Sequence, residues 1–147
     1  MEKKFAYSES ELRSNAKNIL DLLLPYRIWL LIGEMGSGKT TLVNAVAREL
    51  EESSEVSSPS YTIVNEYVFK ENQYHILKIF HLDLYRLKGL EEAIDAGIEE
   101  ILLSDNRCII EWPHIVLPLL QNESMAEIYI EMGINENRLY TIKTKEL

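Results

Sequence analysis

The segment GEMGSGKT at residues 33–40 matches the phosphate-loop pattern G-x-x-x-x-G-K-[ST] at every fixed position. Glycines in such a loop let the backbone curl, so that successive N–H groups point inward at phosphate oxygens. Lys39 is expected to reach the β- and γ-phosphates, and Thr40 to offer its hydroxyl to Mg²⁺. The segment therefore predicts a nucleoside triphosphate site that also takes Mg²⁺.

The residues on either side of the loop follow the order that a phosphate-loop fold requires. Residues 27–32 form a short apolar run typical of a buried parallel strand. After the loop, Leu42, Val46 and Leu50 recur at helical spacing and define one apolar helix face. The N-terminus of that helix adds partial positive charge to the anion site. We therefore expect an α/β chain of the three-layer P-loop NTPase class, with a mainly parallel central sheet and added antiparallel strands.

Length and composition bound the kind of protein. With 147 residues, of which 46% are hydrophobic, the chain predicts a single P-loop domain over residues 1–147. No apolar run approaches the roughly 20 residues that cross a bilayer, so no membrane association is expected. The N-terminus lacks the apolar stretch of a signal peptide, and Cys108 is the single cysteine. A cytoplasmic protein without a disulfide-linked partner is therefore expected.

The net charge argues against direct nucleic-acid binding. Fifteen Lys and Arg residues stand against 24 Asp and Glu residues, which leaves a formal charge of −9. Such a surface repels a phosphate backbone unless basic residues cluster, and the sequence shows no such cluster. We therefore expect no tight binding of nucleic acid by this chain alone.

Further secondary structure is predicted from caps, breakers and residue type. Ser8 and Glu11 form an S-x-x-E capping pattern, which predicts a helix that runs to about Leu24 and ends before Pro25. β-Branched and aromatic residues at 61–69 and 74–84, separated by polar residues 70–73, predict a hairpin. Short helices are also predicted at 90–96 and 98–103, and strands at 107–112, 126–132 and 138–143.

The segment 51–60 is polar, has no apolar periodicity and is predicted to be a loop. It has two interpretations. It is either a solvated connection or a nucleotide-sensitive switch, since loops that respond to the γ-phosphate commonly follow the first helix of such folds. Position alone does not choose between them.

Two carboxylates stand at the ends of apolar strands and are candidate partners of the phosphate loop. Mg²⁺ prefers hard oxygen ligands close to the β- and γ-phosphates. The two-residue period of a strand places Asp83 on one face with His81 and Tyr85, and Glu111 ends a second apolar run. Either acid alone would more often cap a helix or pair with a surface lysine, but two acids at equivalent strand ends favour a shared site. Cys108 is expected to be a small buried hydrophobe rather than a nucleophile.

The absence of two motifs narrows the range of expected nucleotides and reactions. The sequence has no N-K-x-D motif of the kind that reads guanine in GTPases, so adenine is the expected base. A small-molecule kinase would add an arginine-bearing lid over its acceptor, and no arginine-rich loop follows the phosphate loop. Slow hydrolysis that serves as a conformational signal therefore fits better than phosphoryl transfer to a metabolite. A small-molecule kinase and a non-hydrolysing adaptor that senses ATP stay as alternatives.

Four segments together resemble one family. They are GEMGSGKTT at 33–41, SPSY at 58–61 with NEY at 65–67, HLDLYR at 81–86 and EWP at 111–113. This combination is similar to that of the bacterial TsaE (YjeE) family, ATPases needed to make N6-threonylcarbamoyladenosine (t6A) in tRNA. The match spans almost the whole chain, and the H-x-D-L-Y-R and E-W-P motifs are far more specific than the phosphate loop alone.

The resemblance implies a partner-dependent ATPase rather than the enzyme that transfers the threonylcarbamoyl group. Such a protein binds the TsaD–TsaB pair, uses ATP with Mg²⁺ to let that assembly turn over, hydrolyses ATP slowly alone and meets tRNA only through the complex. By the family's motifs, Thr40 and Glu111 ligate Mg²⁺, and Asp83 orients the metal or the attacking water. The family's phosphate cradle maps onto Gly36, Ser37, Gly38, Lys39, Thr40 and Thr41.

Three further positions matter to the resemblance. Trp112 occupies the place of a functional tryptophan of the family, and packing beneath the site explains it equally well. Ser10 aligns with a family threonine near the nucleotide, and it also fits a helix cap. Ser60 stands where the family commonly has threonine, so the hydroxyl is retained while a methyl contact is lost.

Overall fold

Strands and helices alternate along the chain in a computed structural model that describes residues 1–54 and 62–146. The strands are β1 (Glu2–Tyr7), β2 (Ile28–Ile32), β3 (Val64–Val68), β4 (Lys78–Asp83), β5 (Arg107–Glu111), β6 (Met125–Met132) and β7 (Arg138–Lys145). The helices are α1 (Glu9–Leu23), α2 (Lys39–Leu50), α3 (Leu90–Asp95) and α4 (Ile98–Leu103), with a 3₁₀ helix at Pro113–Leu120. The segment SPSY at 58–61, and with it most of the predicted loop 51–60, lies outside the described residues.

The described strands form one mixed sheet in the order β1-β7-β6-β2-β5-β4-β3. The four central strands β6, β2, β5 and β4 are parallel. Antiparallel pairing adds β7 and then β1 at one edge and β3 at the other. The predicted α/β class, with a parallel centre and antiparallel additions, is confirmed. The strand that leads into the phosphate loop, β2, lies between β5 and β6.

Helices cover both faces of the sheet because β2 is apolar on both sides. Trp29 and Leu31 pack in the core that includes α1 and α2, whereas Ile28 and Leu30 pack in the core of α3, α4 and the 3₁₀ helix. All four side chains are at most 2% exposed. A strand buried on both faces is expected to be continuously apolar rather than alternating. The two cores thus hold β2 in place and set the position of the loop at its carboxyl end.

The first helix begins and ends where the capping residues predict. Ser8 Oγ accepts the N–H of Glu11 at 3.3 Å, and Glu11 Oε1 accepts the N–H of Ser8 at 3.1 Å, which completes the capping box. The helix ends at Leu23, just before Pro25. It is the longest described helix at 15 residues, and none of the described helices combines the length and apolar character needed to cross a membrane.

Most other elements lie close to their predicted bounds, with three differences. Strand β1 is not predicted, because its first three side chains are charged and its conformation depends on pairing with β7. The strand predicted at 74–84 begins only at Lys78, since Asn72 Oδ1 accepts the N–H of Tyr74 at 3.1 Å and organises a loop. The 3₁₀ helix is also not predicted. Pro118 lies inside it, and proline removes a backbone donor that an α-helix would need.

Candidate functional site

The phosphate loop connects the carboxyl end of β2 to the amino end of α2, as its spacing predicts. Gly36 and Gly38 have positive φ angles of 76° and 107°, a region that residues with side chains rarely enter. At Gly33, a Cβ would lie 2.6 Å from Ser37 Oγ and 2.8 Å from the carbonyl oxygen of Ile130. The glycines thus allow a tight curl that other residues would strain or obstruct.

The loop contains a buried hydroxyl without a hydrogen bond. Ser37 is 2% exposed, and its Oγ has no hydrogen-bond partner among the described residues. Such a group is unfavourable, because it has lost contact with water without a replacement. A phosphate oxygen seated in the loop would accept this O–H, so the chemistry of the loop fits the predicted anion.

Lys39 begins α2 and is folded over the loop. Its Nζ donates to the carbonyl oxygen of Gly33 at 2.7 Å and lies 4.5 Å from the centroid of the Trp112 ring. Only 8% of the residue is exposed. A carbonyl dipole and an aromatic face therefore hold the ammonium group where the motif needs a positive charge. Thr40 and Thr41 follow in the same turn, both half-buried, and their ligand roles stay predictions.

The two predicted carboxylates lie side by side next to this lysine. Asp83 and Glu111 are partners in the parallel register of β4 and β5, at the carboxyl ends of both strands. Burial raises the pKa of Asp83, the backbone hydrogen bond from Tyr85 opposes that rise, the charge of Glu111 adds to it, and the charges of His81 and Lys39 oppose it. The structure thus brings Asp83, Glu111 and Lys39 within electrostatic reach of one another, although their metal and catalytic roles stay predictions.

A buried hydrogen-bonded chain behind Glu111 is missed by the sequence reasoning. His81 is fully buried, with Nε2 2.5 Å from Glu111 Oε2 and Nδ1 2.8 Å from the Tyr67 hydroxyl. The two nitrogens of one imidazole ring therefore connect the carboxylate of Glu111 to the hydroxyl of Tyr67. Burial, and secondarily the charge of Glu111, raises the pKa of Tyr67 to about 12. Strand alternation places His81 on the same face as Asp83, but its partners come from two other strands.

Trp112 contributes to the site from an unusual backbone conformation. It follows β5 directly and has a left-handed φ of 55°, a conformation that is uncommon outside glycine. The centroid of its ring lies 5.0 Å from the centroid of the Tyr85 ring. The Trp112 ring also contacts Lys39 Nζ. Packing beneath the site therefore explains part of its role, and a further functional role stays a prediction. An open cavity of about 710 Å³, bordered by Trp112, the loop and residues of β6, adjoins this position.

The surroundings of Ser10 and Cys108 agree with their plainer interpretations. Ser10 is exposed in the first turn of α1, and its Oγ lies 3.2 Å from Ser8 Oγ. Glu9 and Thr41 line one small cleft, so the first turns of α1 and α2 face each other, and a nucleotide role for Ser10 stays a prediction. Cys108 is fully buried, and burial raises the pKa of its thiol to about 11. The prediction of a buried hydrophobe is confirmed.

Comparison with known proteins identifies the family. A family model described as threonylcarbamoyl adenosine biosynthesis protein TsaE matches residues 6–140. A Rickettsia conorii protein named tRNA threonylcarbamoyladenosine biosynthesis protein TsaE is 35% identical over 138 residues, which are 93% of this chain and 75% of the relative. The protein of the same name from Borreliella burgdorferi is 35% identical over 122 residues, 82% of this chain and 85% of the relative. That from Bacillus subtilis is 29% identical over 129 residues, 88% of this chain and 77% of the relative.

The fold is also similar to a solved structure. The crystal structure of Bacillus subtilis YdiB superposes with a TM-score of 0.64 at 24% identity, covering 98% of this chain and 86% of that chain. At this identity the likeness shows the shared fold, and none of these matches supports the small-molecule kinase alternative. Together with the family match and the motifs at the loop and the two strand ends, these findings show that the chain belongs to the TsaE family of threonylcarbamoyl adenosine biosynthesis proteins.

Proposed function

We propose that this protein is a Mg²⁺-dependent ATPase, built as a single three-layer P-loop NTPase domain, that serves t6A modification of tRNA in the cytoplasm. The juxtaposition of Lys39, Asp83 and Glu111 beside the glycine loop carries this proposal. ATP hydrolysis needs a cation at the phosphates and carboxylates for the metal and the water. The names of the relatives, which refer to tRNA threonylcarbamoyladenosine biosynthesis, support the biological process.

The proposed binding roles follow the chemistry of the side chains. No group of three His, Cys, Asp or Glu side chains in the described residues is arranged to hold a metal. Mg²⁺ commonly takes one or two protein carboxylates together with substrate phosphates, so Glu111, Asp83 and the Thr40 hydroxyl are its proposed ligands. When bound, the ion neutralises charge on the phosphate oxygens. The proposed phosphate ligands are the backbone and side chains of Gly36, Ser37, Gly38, Lys39, Thr40 and Thr41.

Asp83 is the proposed group that orients the attacking water. Its Oδ1 accepts the N–H of Tyr85 at 3.1 Å, which sets the direction of the carboxylate. Because burial raises its pKa, Asp83 is a better proton acceptor than an ordinary carboxylate. Glu111 is held by His81, and Lys39 is proposed to stabilise negative charge on the β- and γ-phosphates.

TsaD and TsaB are the proposed partners, and tRNA is proposed to be reached only through them. The formal charge of −9 disfavours direct contact with a tRNA backbone. Adenine is the proposed base, since the sequence lacks the N-K-x-D motif that reads guanine. The chain alone is expected to hydrolyse ATP slowly, with the partners completing the site.

Phosphate release by the purified chain, alone and with TsaD and TsaB from the same organism, tests this proposal. Stimulation by the pair is expected. Turnover is expected to be lost in Lys39→Ala and retained in the control Lys70→Ala, whose lysine is exposed. A chain that releases phosphate equally well after Lys39→Ala would contradict the proposed site. Absence of both stimulation and binding would contradict the proposed partners and leave the nucleotide site standing.

A further inference from the structure

The side chain of Arg138 crosses from the start of β7 to the phosphate loop. A Cβ placed on Gly38 would lie 2.6 Å from Arg138 Nε, 2.7 Å from Cδ and 2.9 Å from Cζ. Gly38 is the N-cap of α2 and the last glycine of the motif. The guanidinium group therefore rests directly on the loop, in space that a glycine leaves open.

This guanidinium group is not neutralised by a carboxylate of the described chain. Its Nε is buried without a hydrogen-bond partner among residues 1–54 and 62–146, and the ion pairs formed by those residues do not include Arg138. Burial raises the pKa of Tyr140 nearby, and the charge and hydrogen bond of Arg138 oppose that rise. A neutral phenol does not cancel a cation, so the charge of Arg138 stays available to an anion.

Electrostatics make this an unfavourable place for a cation unless an anion joins it. The N-terminus of α2 carries partial positive charge, Lys39 adds a full charge, and the first turn of α2 has no acidic residue. The same loop contains the unpaired hydroxyl of Ser37, which is 2% exposed. Two unsatisfied donors from distant parts of the chain thus meet at one loop. An anion with several oxygens would satisfy both.

The strand order indicates which part of a triphosphate Arg138 meets. Glu111 and Asp83 lie on β5 and β4, to one side of β2, whereas Arg138 lies on β7, beyond β6 on the other side. Glu111 and Asp83 would hold Mg²⁺ beside the terminal phosphates, so the opposite side of the loop would receive the end nearer the nucleoside. We propose that Arg138 binds the α- or β-phosphate and thereby secures ATP and ADP alike, an inference that rests on the proposed ATP site.

Binding of Mg·ATP and Mg·ADP to the purified full chain, measured by isothermal titration calorimetry, tests this role. Arg138→Gln removes the charge, and the expected result is binding about tenfold or more weaker for both nucleotides. The ratio of the two dissociation constants is expected to stay unchanged. Lys145→Gln is the matched control, because it removes one charge from the exposed far end of the same strand, and it is expected to bind like the wild type.

Unchanged affinity of Arg138→Gln for both nucleotides would overturn the proposal. Weaker binding of ATP alone would also overturn it, since that result places Arg138 at the γ-phosphate. Should Arg138→Gln fail to fold, Arg138→Lys replaces it, because it keeps the charge but loses the planar fork, and equal weakening for ATP and ADP is again expected. A wild-type chain that binds neither nucleotide would refute the proposed ATP site itself, whereas normal wild-type binding with an unaffected variant refutes only the role of Arg138.

Discussion

The two flanks of the phosphate loop carry opposite charge. On the side of β5 and β4, Glu111 and Asp83 stand at adjacent strand ends. On the side of β6 and β7, Arg138 lies against Gly38. Metal ions and attacking water need carboxylates, whereas phosphate oxygens need cationic donors. Because the loop lies between the flanks, the strand order would give the proposed triphosphate a direction.

The flanks also differ in how many of their polar groups have hydrogen-bond partners within the protein. Glu111 accepts a hydrogen bond from His81, which is in turn bonded to Tyr67. Arg138 Nε and Ser37 Oγ have no partner in the described parts of the chain. The acidic flank is therefore organised by its own hydrogen bonds, whereas the loop and the basic flank hold polar groups that the described residues leave unpaired. Substitutions on each flank test this difference.

The largest effect is expected where the basic flank touches the loop. Gly38→Ala combines a positive φ of 107° with a Cβ only 2.6 Å from Arg138 Nε, so a loss of about 2–4 kcal/mol in unfolding free energy is expected. Gly36→Ala, with a φ of 76° and no atom near its Cβ, carries the backbone strain alone and is expected to lose about 1–2 kcal/mol. Urea denaturation measures both. Gly89→Ala, at an extended and uncrowded position, is the control, and equal losses at Gly38 and Gly36 would show that the contact with Arg138 is unimportant.

The second-largest effect is expected in the Mg²⁺ dependence of turnover, which should change for a substitution on the acidic flank and not for one on the basic flank. Glu111→Gln is expected to raise the Mg²⁺ concentration for half-maximal ATP turnover about tenfold or more, because the proposed carboxylate ligand loses its charge. Arg138→Gln is expected to leave that concentration unchanged. Glu100→Gln, exposed on α4, is the control for general loss of negative charge. An unaltered Mg²⁺ titration for Glu111→Gln would remove Glu111 from the metal site.

A smaller effect tests whether the acidic flank is organised by its own hydrogen bonds. Tyr67→Phe removes the hydroxyl 2.8 Å from Nδ1 of the fully buried His81, and an expected cost of about 1–3 kcal/mol follows from the unpaired nitrogen. Tyr74→Phe removes a hydrogen bond to Glu49, which is half-buried where His81 is fully buried, and is expected to cost less. The urea midpoints of the two variants measure these losses of stability. A smaller loss for Tyr67→Phe than for Tyr74→Phe would contradict a structural role for this chain of hydrogen bonds.

The smallest effect is a pH-dependent difference at Asp83. Burial, with the charge of Glu111 in addition, raises the pKa of Asp83 in the folded protein. A raised pKa favours the protonated folded state, so its contribution to stability is present below the unfolded pKa and is lost as the pH rises through the folded pKa. Asp83→Asn cannot ionise and keeps an acceptor for the N–H of Tyr85. It is therefore expected to be more stable than the wild type at about pH 7 and to lose that advantage below about pH 4.

Urea denaturation of Asp83→Asn and the wild type at the two pH values measures this difference. A stability advantage that is the same at both pH values would point to packing rather than to ionisation. The turnover of the same variant is expected to fall, because its amide cannot accept a proton from water. Gain of stability with loss of turnover would mark Asp83 as a residue that the site needs and the fold does not.

Local features of the fold could be predicted because neighbouring residues encode them. The capping box of Ser8 and Glu11 needs only a turn of chain, and both of its hydrogen bonds are present. The alternation that puts His81 and Asp83 on one face of β4 is a property of any strand. The carboxylates Asp83 and Glu111 could be predicted for the same reason, since each ends its own apolar run.

Other features could not be predicted because they depend on which strands become neighbours. The hydrogen-bonded chain takes Tyr67 from β3, His81 from β4 and Glu111 from β5. Strand β1 begins with charged residues and is held by its pairing with β7. Nothing near Arg138 in the sequence resembles a nucleotide motif, and its position becomes informative only once β7 lies beside β6.

The phosphate loop, the helix that follows it, the two strand-end carboxylates and the family could all be identified from the residues, because each depends on a short run with a defined conformation. The hydrogen bond between His81 and Glu111 and the contact of Arg138 with Gly38 emerge only when the strands pack together. The physical reason is the strand order, which places residues from separate strands within hydrogen-bonding distance and leaves no trace in the spacing of any one segment.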